Sequence, residues 1–416
     1  MPDETRFEYG SQEYYQNPYP TLKRIQEKRK PVWHEPTGTW LISTYEDVSC
    51  ILKDASISKQ FIRENPSPLE RTMLFQDPPN HTRLRSLVSQ VFTPRAITEM
   101  EKQILDASSS LLARFSERRS MDFIADFTLP LPIQVIAEML GVPREDWAPV
   151  HGHSLTLIKA ADGQHSPEES GQLLAQGMMG LIGCFSALID TRRANPKDDL
   201  LSRLIAVHDN DGGLDTDELV GTAILLMIAG HETTVNLLGN GLYLLMQNPE
   251  SMKLLKDHPE LIPGAIEEML RCESPVQQGT YRRATETIRI SGVEIPAGSQ
   301  ITVLFGAANR DPAVFPNPEV FDVRRTPNKH LAFGTGIHFC LGAPLARAEA
   351  RIAFEMILNR MPGVQLSGSP STLPRQGLLA KLLGMLRPPD QMGGRCLVHW
   401  TANPVVRSLD SLQVEW

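Results

Sequence analysis

Residues 333–342 read Phe-Gly-Thr-Gly-Ile-His-Phe-Cys-Leu-Gly and form the most informative segment of the sequence. Gly334 and Gly336 allow the backbone to turn tightly where a side chain would clash. The Ala-rich run that follows predicts a helix over 341–357. A cysteine at a helix N-terminus is favoured as a thiolate, because unpaired N–H groups and the helix dipole stabilise the anion. The stretch therefore predicts that Cys340 can bind a metal.

A single thiolate restricts which metal group Cys340 could hold. An iron–sulfur cluster needs about four thiolates at short spacing, and no other cysteine is near in the sequence. One thiolate suits the axial position of a haem, where it favours O–O cleavage. Two alternatives stay open. His338 and Cys340 could form a zinc site with Cys396 and His399, although neither spacing matches a common zinc module. Cys340 could also be a free cysteine in a Gly-rich turn.

The decapeptide resembles the haem-ligand motif of the cytochrome P450 superfamily, Phe-Gly-x-Gly-x-His/Arg-x-Cys-x-Gly, at every fixed position. The resemblance implies a mainly α protein with smaller β-sheets, the cytochrome P450 fold, formed as a single domain over 1–416. It implies haem b (iron protoporphyrin IX) as the cofactor, with Cys340 as the iron ligand. The residues implied to surround the haem at this loop are Phe333, Gly334 and Gly342.

Composition restricts the class of protein further. The 416 residues carry a net charge of −8, which argues against a nucleic-acid partner. The length alone suggests two or three domains, but no linker, repeat or low-complexity tract divides the chain. Five scattered cysteines suit a reducing compartment better than a disulfide framework. The polar N-terminus, and an apolar run at 223–229 far shorter than a span of about 20 residues, predict a cytoplasmic protein without a membrane span.

Breaker residues and periodicity predict an almost entirely helical middle, 97–275, with short strands on either side. Within it, an N-cap at Asp215 predicts a helix over 215–246, about 45 Å long. Midway stands Ala-Gly-His-Glu-Thr-Thr, residues 229–234, in which Gly230 weakens the helix by about 1 kcal/mol. The segment is either a core helix with a polar patch, or an opening at Gly230 that leaves room for O₂ and water.

The same segment resembles the family's Ala/Gly-Gly-x-Asp/Glu-Thr motif. The resemblance implies that Thr233 hydrogen-bonds the oxygen being activated and that Glu232 relays protons from solvent, with Ala229 and Gly230 beside the haem. Cleavage of the O–O bond needs two protons in an otherwise dry pocket, which explains an acid next to a hydroxyl. His231 receives no catalytic role: it either faces away from the haem or tunes Glu232.

Two further sets of residues support the haem interpretation. Glu268 and Arg271 share a helix face and resemble the family's Glu-x-x-Arg pair, which implies a buried ion pair that locks the haem-ligand loop. Either Arg324 or Arg325 is its predicted third member. Four donors or cations suit a cofactor with two carboxylates, and matching family positions imply that they bind the propionates: His81, Arg85, Arg282 and His338.

The resemblance also implies where a substrate lies. Segments 57–75, 155–185 and 276–280 would line a largely apolar pocket, which predicts a lipophilic small molecule, such as a polyketide or terpenoid secondary metabolite. Residues 377–392 depart from the family pattern. They read as an apolar helix of about three turns, which is either a lid or docking element or a helix packed on the surface.

The sequence thus predicts a haem-thiolate monooxygenase that uses O₂ to hydroxylate or epoxidise its substrate. A ferredoxin and a ferredoxin reductase are the predicted electron donors, since the chain has no flavin or iron–sulfur domain. Arg83, Arg95 and Arg351 are candidate docking charges. The alternatives are a family member that performs oxidative coupling, desaturation or peroxide-driven oxidation, and a haem protein that binds a ligand without turnover; Glu232 and Thr233 disfavour both the peroxide-driven enzyme and the non-catalytic protein.

Overall fold

The computed structural model describes residues 8–62, 64–160, 165–211, 213–367 and 398–416. Helices dominate these residues, as predicted. The α-helices are α1 Gln12–Gln16, α2 Tyr19–Gln26, α3 Tyr45–Ile51, α4 Asn80–Val91, α5 Pro94–Ala113, α6 Pro130–Leu140, α7 Trp147–Ala160, α8 Pro167–Ala194, α9 Leu200–Asp211, α10 Thr216–Gln247, α11 Pro249–Asp257, α12 Ile262–Cys272, α13 Phe305–Ala308 and α14 Ala343–Arg360.

Small sheets flank the helical body. The strands are β1 Val32–His34, β2 Thr39–Ile42, β3 Ile57–Ser58, β4 Ser120–Asp122, β5 Arg283–Ala284, β6 Ile288–Ile290, β7 Val293–Ile295, β8 Gln300–Val303, β9 Gln365–Leu366, β10 His399–Trp400, β11 Leu409–Ser411 and β12 Gln413–Glu415. Five of them form one sheet in the order β1-β2-β8-β5-β3, and β4-β12-β9 form another. The fold is therefore mainly α with smaller β-sheets.

The long helix α10 crosses the helical body. Asp215 accepts a hydrogen bond from the Glu218 N–H (2.8 Å), and the Glu218 carboxylate accepts one from the Asp215 N–H (2.9 Å). This capping box fixes the start of the helix where the sequence predicted it. The helix packs against α6, α8, α12 and α14. Because its neighbours come from distant parts of the chain, α10 positions side chains from several helices around its middle.

The helix after Cys340 begins two residues later than predicted. Gly342 is its N-cap and Pro344 lies in its first turn, where a missing N–H costs nothing. The single domain over 1–416 stays a prediction. Among the described residues the largest hydrophobic cluster includes residues from Met73 to Val414, and two smaller clusters join residues 14–57 to residues 284–331. The predicted element at 377–392 lies outside the described residues.

In the described part of the chain, one helical stretch, Glu168–Ala194 in α8, is long and apolar enough to cross a membrane by length and composition alone. This stretch was not predicted from the sequence. In the fold, α8 packs along α7 and also contacts α10. A core helix passes the same length and composition test, so the stretch is weak evidence for a membrane span.

Candidate active site

The loop that carries Cys340 turns on two glycines, as predicted. Gly334 and Gly336 have φ of +67° and +73°, a region that side chains disfavour. At Gly336 a Cβ would also lie 2.6 Å from the carbonyl oxygen of Leu52. The Cys340 N–H donates to the Phe333 carbonyl (2.9 Å), which closes the loop. The loop therefore holds the sulfur in a fixed position ahead of α14.

Two opposing effects act on the Cys340 thiol. Burial raises its pKa, while the N–H groups of Gly342 and Ala343 and the guanidinium of Arg85 lower it, and burial prevails. The predicted thiolate preference at the helix start is thus present but is outweighed by desolvation. A bound metal removes this obstacle, since a coordinating thiol is deprotonated outright. A Cβ at Gly342 would lie 3.9 Å from the sulfur.

A group that the sequence analysis missed supports the loop. Arg347 on α14 lies over the Phe333 ring, 4.6 Å from its centroid, and pairs with Glu267 (2.7 Å). His330 contacts the same carboxylate (3.0 Å). Although burial opposes it, Arg347 and His330 hold the pKa of Glu267 at about 2. The haem-ligand loop is therefore tied to α12 as well as to α14.

The predicted ion pair is present and buried. Glu268 receives two hydrogen bonds of 2.8 Å from Arg271, and both side chains are fully buried. Arg325 is the third member, because its Nε lies 3.0 and 3.1 Å from the two carboxylate oxygens. Arg324 is exposed. Arg271 also donates to the carbonyls of Asn309, Pro318 and Val320, so the network fixes the segment that leads into the Cys340 loop.

The structure brings together the four predicted propionate residues. The rings of His81 and His338 meet edge to face, 4.4 Å apart. His81 is 2% exposed, and within the described residues neither of its ring nitrogens has a hydrogen-bond partner. Arg85 donates to the Phe339 carbonyl (2.7 Å), and buried Arg282 donates to that of Thr280 (2.9 Å). These groups converge although they come from three separate segments of the chain.

Lys59 joins this cluster and was not predicted. It is 3% exposed, because β3 pairs with β5 and so carries the segment to Arg282. Burial and then Arg282 lower the pKa of Lys59, and Asp77 opposes them. Burial and then the basic groups Lys59, His81, Arg282 and Arg85 lower the pKa of His338 to about 2. The cluster is thus a buried concentration of positive charge that favours an anion.

The middle of α10 is accessible where the motif predicted a site. The α10 residues on either side of this segment are buried. Residues 228–230 and 232–233 are not, and Ala229 is exposed. The Thr233 hydroxyl donates to the Ala229 carbonyl (3.1 Å), as the core-helix alternative expected. Burial raises the pKa of Glu232 to about 7. A carboxyl group that titrates near neutral pH can both accept and release a proton.

The structure contradicts the prediction that Gly230 opens space for O₂ and water. A Cβ at this residue would lie 2.9 Å from the side chain of Ile136 on α6. The glycine therefore allows two helices to approach closely, and the accessible surface belongs to Ala229. His231 faces away from this surface, as one of its two interpretations expected, since it is 1% exposed and contacts Ser154 on α7.

Comparison with known proteins agrees with this geometry. The family model described as Cytochrome P450 matches residues 167–379. The chain is 37% identical over 421 residues to the cytochrome P450 monooxygenase PikC of Streptomyces venezuelae, covering 97% of this chain and 92% of PikC. It is 41% identical over 375 residues to the biotin biosynthesis cytochrome P450 of Bacillus subtilis (strain 168), covering 86% and 92%. The crystal structure of P450BioI in complex with hexadec-9Z-enoic acid ligated acyl carrier protein is similar with a TM-score of 0.85 and 35% identity, covering 98% of this chain and all of that one.

The chain belongs to the cytochrome P450 family. It is an oxidoreductase, a monooxygenase with a thiolate-ligated haem b that acts on a lipophilic substrate. The residues present fit this cofactor. Cys340 offers a thiolate, and the basic cluster offers what two propionates need: guanidinium and ammonium groups, and a buried imidazole that has no hydrogen-bond partner among the described residues. The described residues contain no group of three or more His, Cys, Asp and Glu side chains that could hold a metal, and Cys396 of the zinc alternative lies outside them.

Proposed function

We propose that Cys340 would ligate the haem iron and that Glu232 and Thr233 would deliver the protons that O–O cleavage needs. When bound, the haem supplies the iron at which O₂ is reduced and split. Glu232 holds a proton near neutral pH because burial raises its pKa to about 7. The Thr233 hydroxyl passes that proton on, since the half-buried turn of α10 that carries Glu232 also carries Thr233. The accessible acid–hydroxyl pair within a buried helix carries this proposal.

We also propose that the basic cluster binds the two propionates. Three cations contribute, Arg85, Arg282 and Lys59, and both oxygens of Asp77 are engaged by Ser58 and the Lys59 N–H. Asp77 offsets one of the three positive charges, so two propionate carboxylates would neutralise the other two. His81 and His338 then act as neutral hydrogen-bond donors, which agrees with their lowered pKa values.

The proposed substrate is a lipophilic secondary metabolite such as a polyketide or terpenoid. PikC is a monooxygenase of the same family, and the P450BioI structure holds a long-chain acid attached to an acyl carrier protein. A ferric-state spectral-shift screen should therefore contain macrolides, terpenoids and fatty acids, both free and attached to an acyl carrier protein. Binding by one class with product formation identifies the substrate. If no class both shifts the spectrum and is oxidised, the proposal is refuted.

The proposed electron donor is a ferredoxin with its reductase. The candidate docking charges offer little net attraction, because each is already paired with a carboxylate: Arg83 with Glu218, Arg95 with Glu99 and Arg351 with Glu101. We therefore expect docking to depend on these three residues only weakly. Exchange of each for alanine, with the rate of electron transfer from a ferredoxin measured at low and high salt, tests this expectation.

Thr233→Ala tests the proton path, with Thr234→Ala as the matched control. The Thr234 hydroxyl is directed to the Gly230 carbonyl (3.5 Å), and the residue is 2% exposed. We expect Thr233→Ala to consume NAD(P)H but to form peroxide in place of product, while Thr234→Ala keeps most of its coupling. Equal coupling in the two variants would refute the assignment. Product formation in the wild type also excludes a haem protein that only binds its ligand.

A further inference from the structure

His231 is a buried polar residue that the proposed chemistry does not use. Its Nδ1 lies 2.7 Å from the carbonyl oxygen of Met227, one turn earlier on α10. A carbonyl can only accept, so Nδ1 carries a proton. Burial lowers the pKa of His231 to about 4, so the ring is neutral and its Nε2 is an acceptor. The side chain is thereby held in one tautomer and one orientation.

The acceptor nitrogen points at α7. The Ser154 hydroxyl lies 3.5 Å from Nε2 of His231, and Ser154 is completely buried. His151, one turn earlier on the same face of α7, presents its ring edge-on to His231, with centroids 6.2 Å apart. Its buried Nε2 has no hydrogen-bond partner within the described residues. A polar bridge thus joins α10 to α7 in an otherwise apolar region.

The helix α7 is itself joined closely to α8. A Cβ at Gly177 would lie 2.9 Å from the His153 carbonyl oxygen, and one at Gly180 would lie 2.2 Å from the His153 ring. Two glycines on one face of α8 therefore let the helix axes come close together, and α7 and α8 form one packed unit. This unit carries most of the 155–185 segment that the sequence analysis placed beside the substrate.

On its other side, α10 is fixed against α6 through the contact of Gly230 with Ile136. The turn that contains Glu232 and Thr233 therefore lies between a fixed contact to α6 and a polar contact to α7. A displacement of α7 acts on this turn through His231, which immediately precedes both residues. At 3.5 Å the Ser154–His231 contact is at the upper limit of a hydrogen bond, so a small displacement of α7 strengthens or breaks it.

We propose that His231 is a positioning residue that, through Ser154, couples the placement of the α7–α8 pair to the oxygen-activating turn of α10. Substrate contact with α7 and α8 then sets the orientation of Glu232 and Thr233. This inference rests on the proposed function of those two residues. It assigns His231 no contact with substrate, haem or O₂.

The test compares Ser154→Ala, His231→Gln, His231→Leu and the double variant of Ser154→Ala with His231→Leu. Thr191→Ala is the control, because its side chain is exposed, lies outside segment 155–185 and bonds within α8 to the Ala187 carbonyl (2.9 Å). Three quantities are measured on each holoprotein: the substrate Kd from the spectral shift, the product formed per NAD(P)H consumed, and the rate at which O₂ reoxidises the reduced protein with and without substrate.

We expect Ser154→Ala and His231→Leu to bind substrate within about twofold of the wild type and to lose about fivefold in product per NAD(P)H, the effect of one hydrogen bond. The double variant should lose no more than either single one, and Thr191→Ala should match the wild type. His231→Gln, which keeps a donor and an acceptor, should recover part of the coupling and decides the matter if His231→Leu does not fold.

Two results would overturn the inference while the proposed function stands. One is that Ser154→Ala forms as much product per NAD(P)H as the wild type. The other is that the losses of the two single variants multiply in the double variant. Absence of product from the wild type itself would overturn the proposed function. In that case the reoxidation rates still test the inference. If the ligand changes the rate of the wild type but not that of Ser154→Ala, the inference is supported. If the wild type and Ser154→Ala have equal rates both with and without ligand, the inference is overturned as well.

Discussion

Replacement of Arg325 by methionine should weaken the segment that leads into the haem-ligand loop. The Arg325 side chain is 10% exposed and its Nε contacts both oxygens of the fully buried Glu268. Removal of one partner from a buried ion pair costs about 3–5 kcal/mol. The cost here falls at the low end, about 3 kcal/mol, because Arg271 and Asn328 still neutralise and bond the carboxylate.

That loss can be converted into a melting temperature. An unfolding entropy of about 2.1 cal/mol/K per residue over 416 residues makes 1 kcal/mol equal to about 1 °C, so we expect Tm to fall by about 3 °C. Arg324→Met is the matched control, since the neighbouring side chain is exposed, and it should change Tm by less than 1 °C. The assay is thermal unfolding of both holoproteins at one scan rate, together with the fraction of reduced protein that gives the red-shifted CO band of a thiolate haem. Equal Tm values and equal CO bands for the two variants would refute the reasoning.

Three further predictions address the site. Cys340→Ser should lose the red-shifted CO band; a variant that keeps it would rule out Cys340 as the ligand. Arg282→Met should transfer its haem to apomyoglobin about tenfold faster or more, the effect of one lost charge-assisted hydrogen bond in a buried site, and an unchanged rate would exclude a propionate contact. The pKa of Glu232 rises on folding from 4.5 to about 7, so its ionisation destabilises the folded state increasingly between these pH values. Glu232→Gln should therefore be more stable than the wild type above pH 7 and not below pH 4, and a stability difference independent of pH would contradict the raised pKa.

The sequence alone was sufficient to predict structural features that depend on neighbouring residues. The positive φ values at Gly334 and Gly336, the capping box of α10 and the Glu268–Arg271 pair are all local, with partners within four residues. Local stereochemistry makes such features predictable.

The sequence alone was insufficient to predict features that form where distant segments of the chain meet. Arg324 and Arg325 are indistinguishable in sequence, and only the folded segment shows which one reaches Glu268. Lys59 lacks a recognisable motif; it joins the propionate cluster because β3 pairs with β5. The helix terminus alone predicted that Cys340 favours the thiolate, whereas burial by the rest of the chain raises the pKa of its thiol. Desolvation depends on the whole fold, and periodicity cannot reveal it.

The adjacent residues Ala229 and Gly230 have opposite consequences for redesign of the enzyme. A larger side chain at 229 would extend to the side on which the haem is expected, so it would change what can bind there without disturbing the helix. Any side chain at 230 would meet Ile136 and force α6 and α10 apart. A change at 229, whether by laboratory evolution or by divergence of related enzymes, must therefore fit the haem, whereas a change at 230 requires that Ile136 become smaller at the same time.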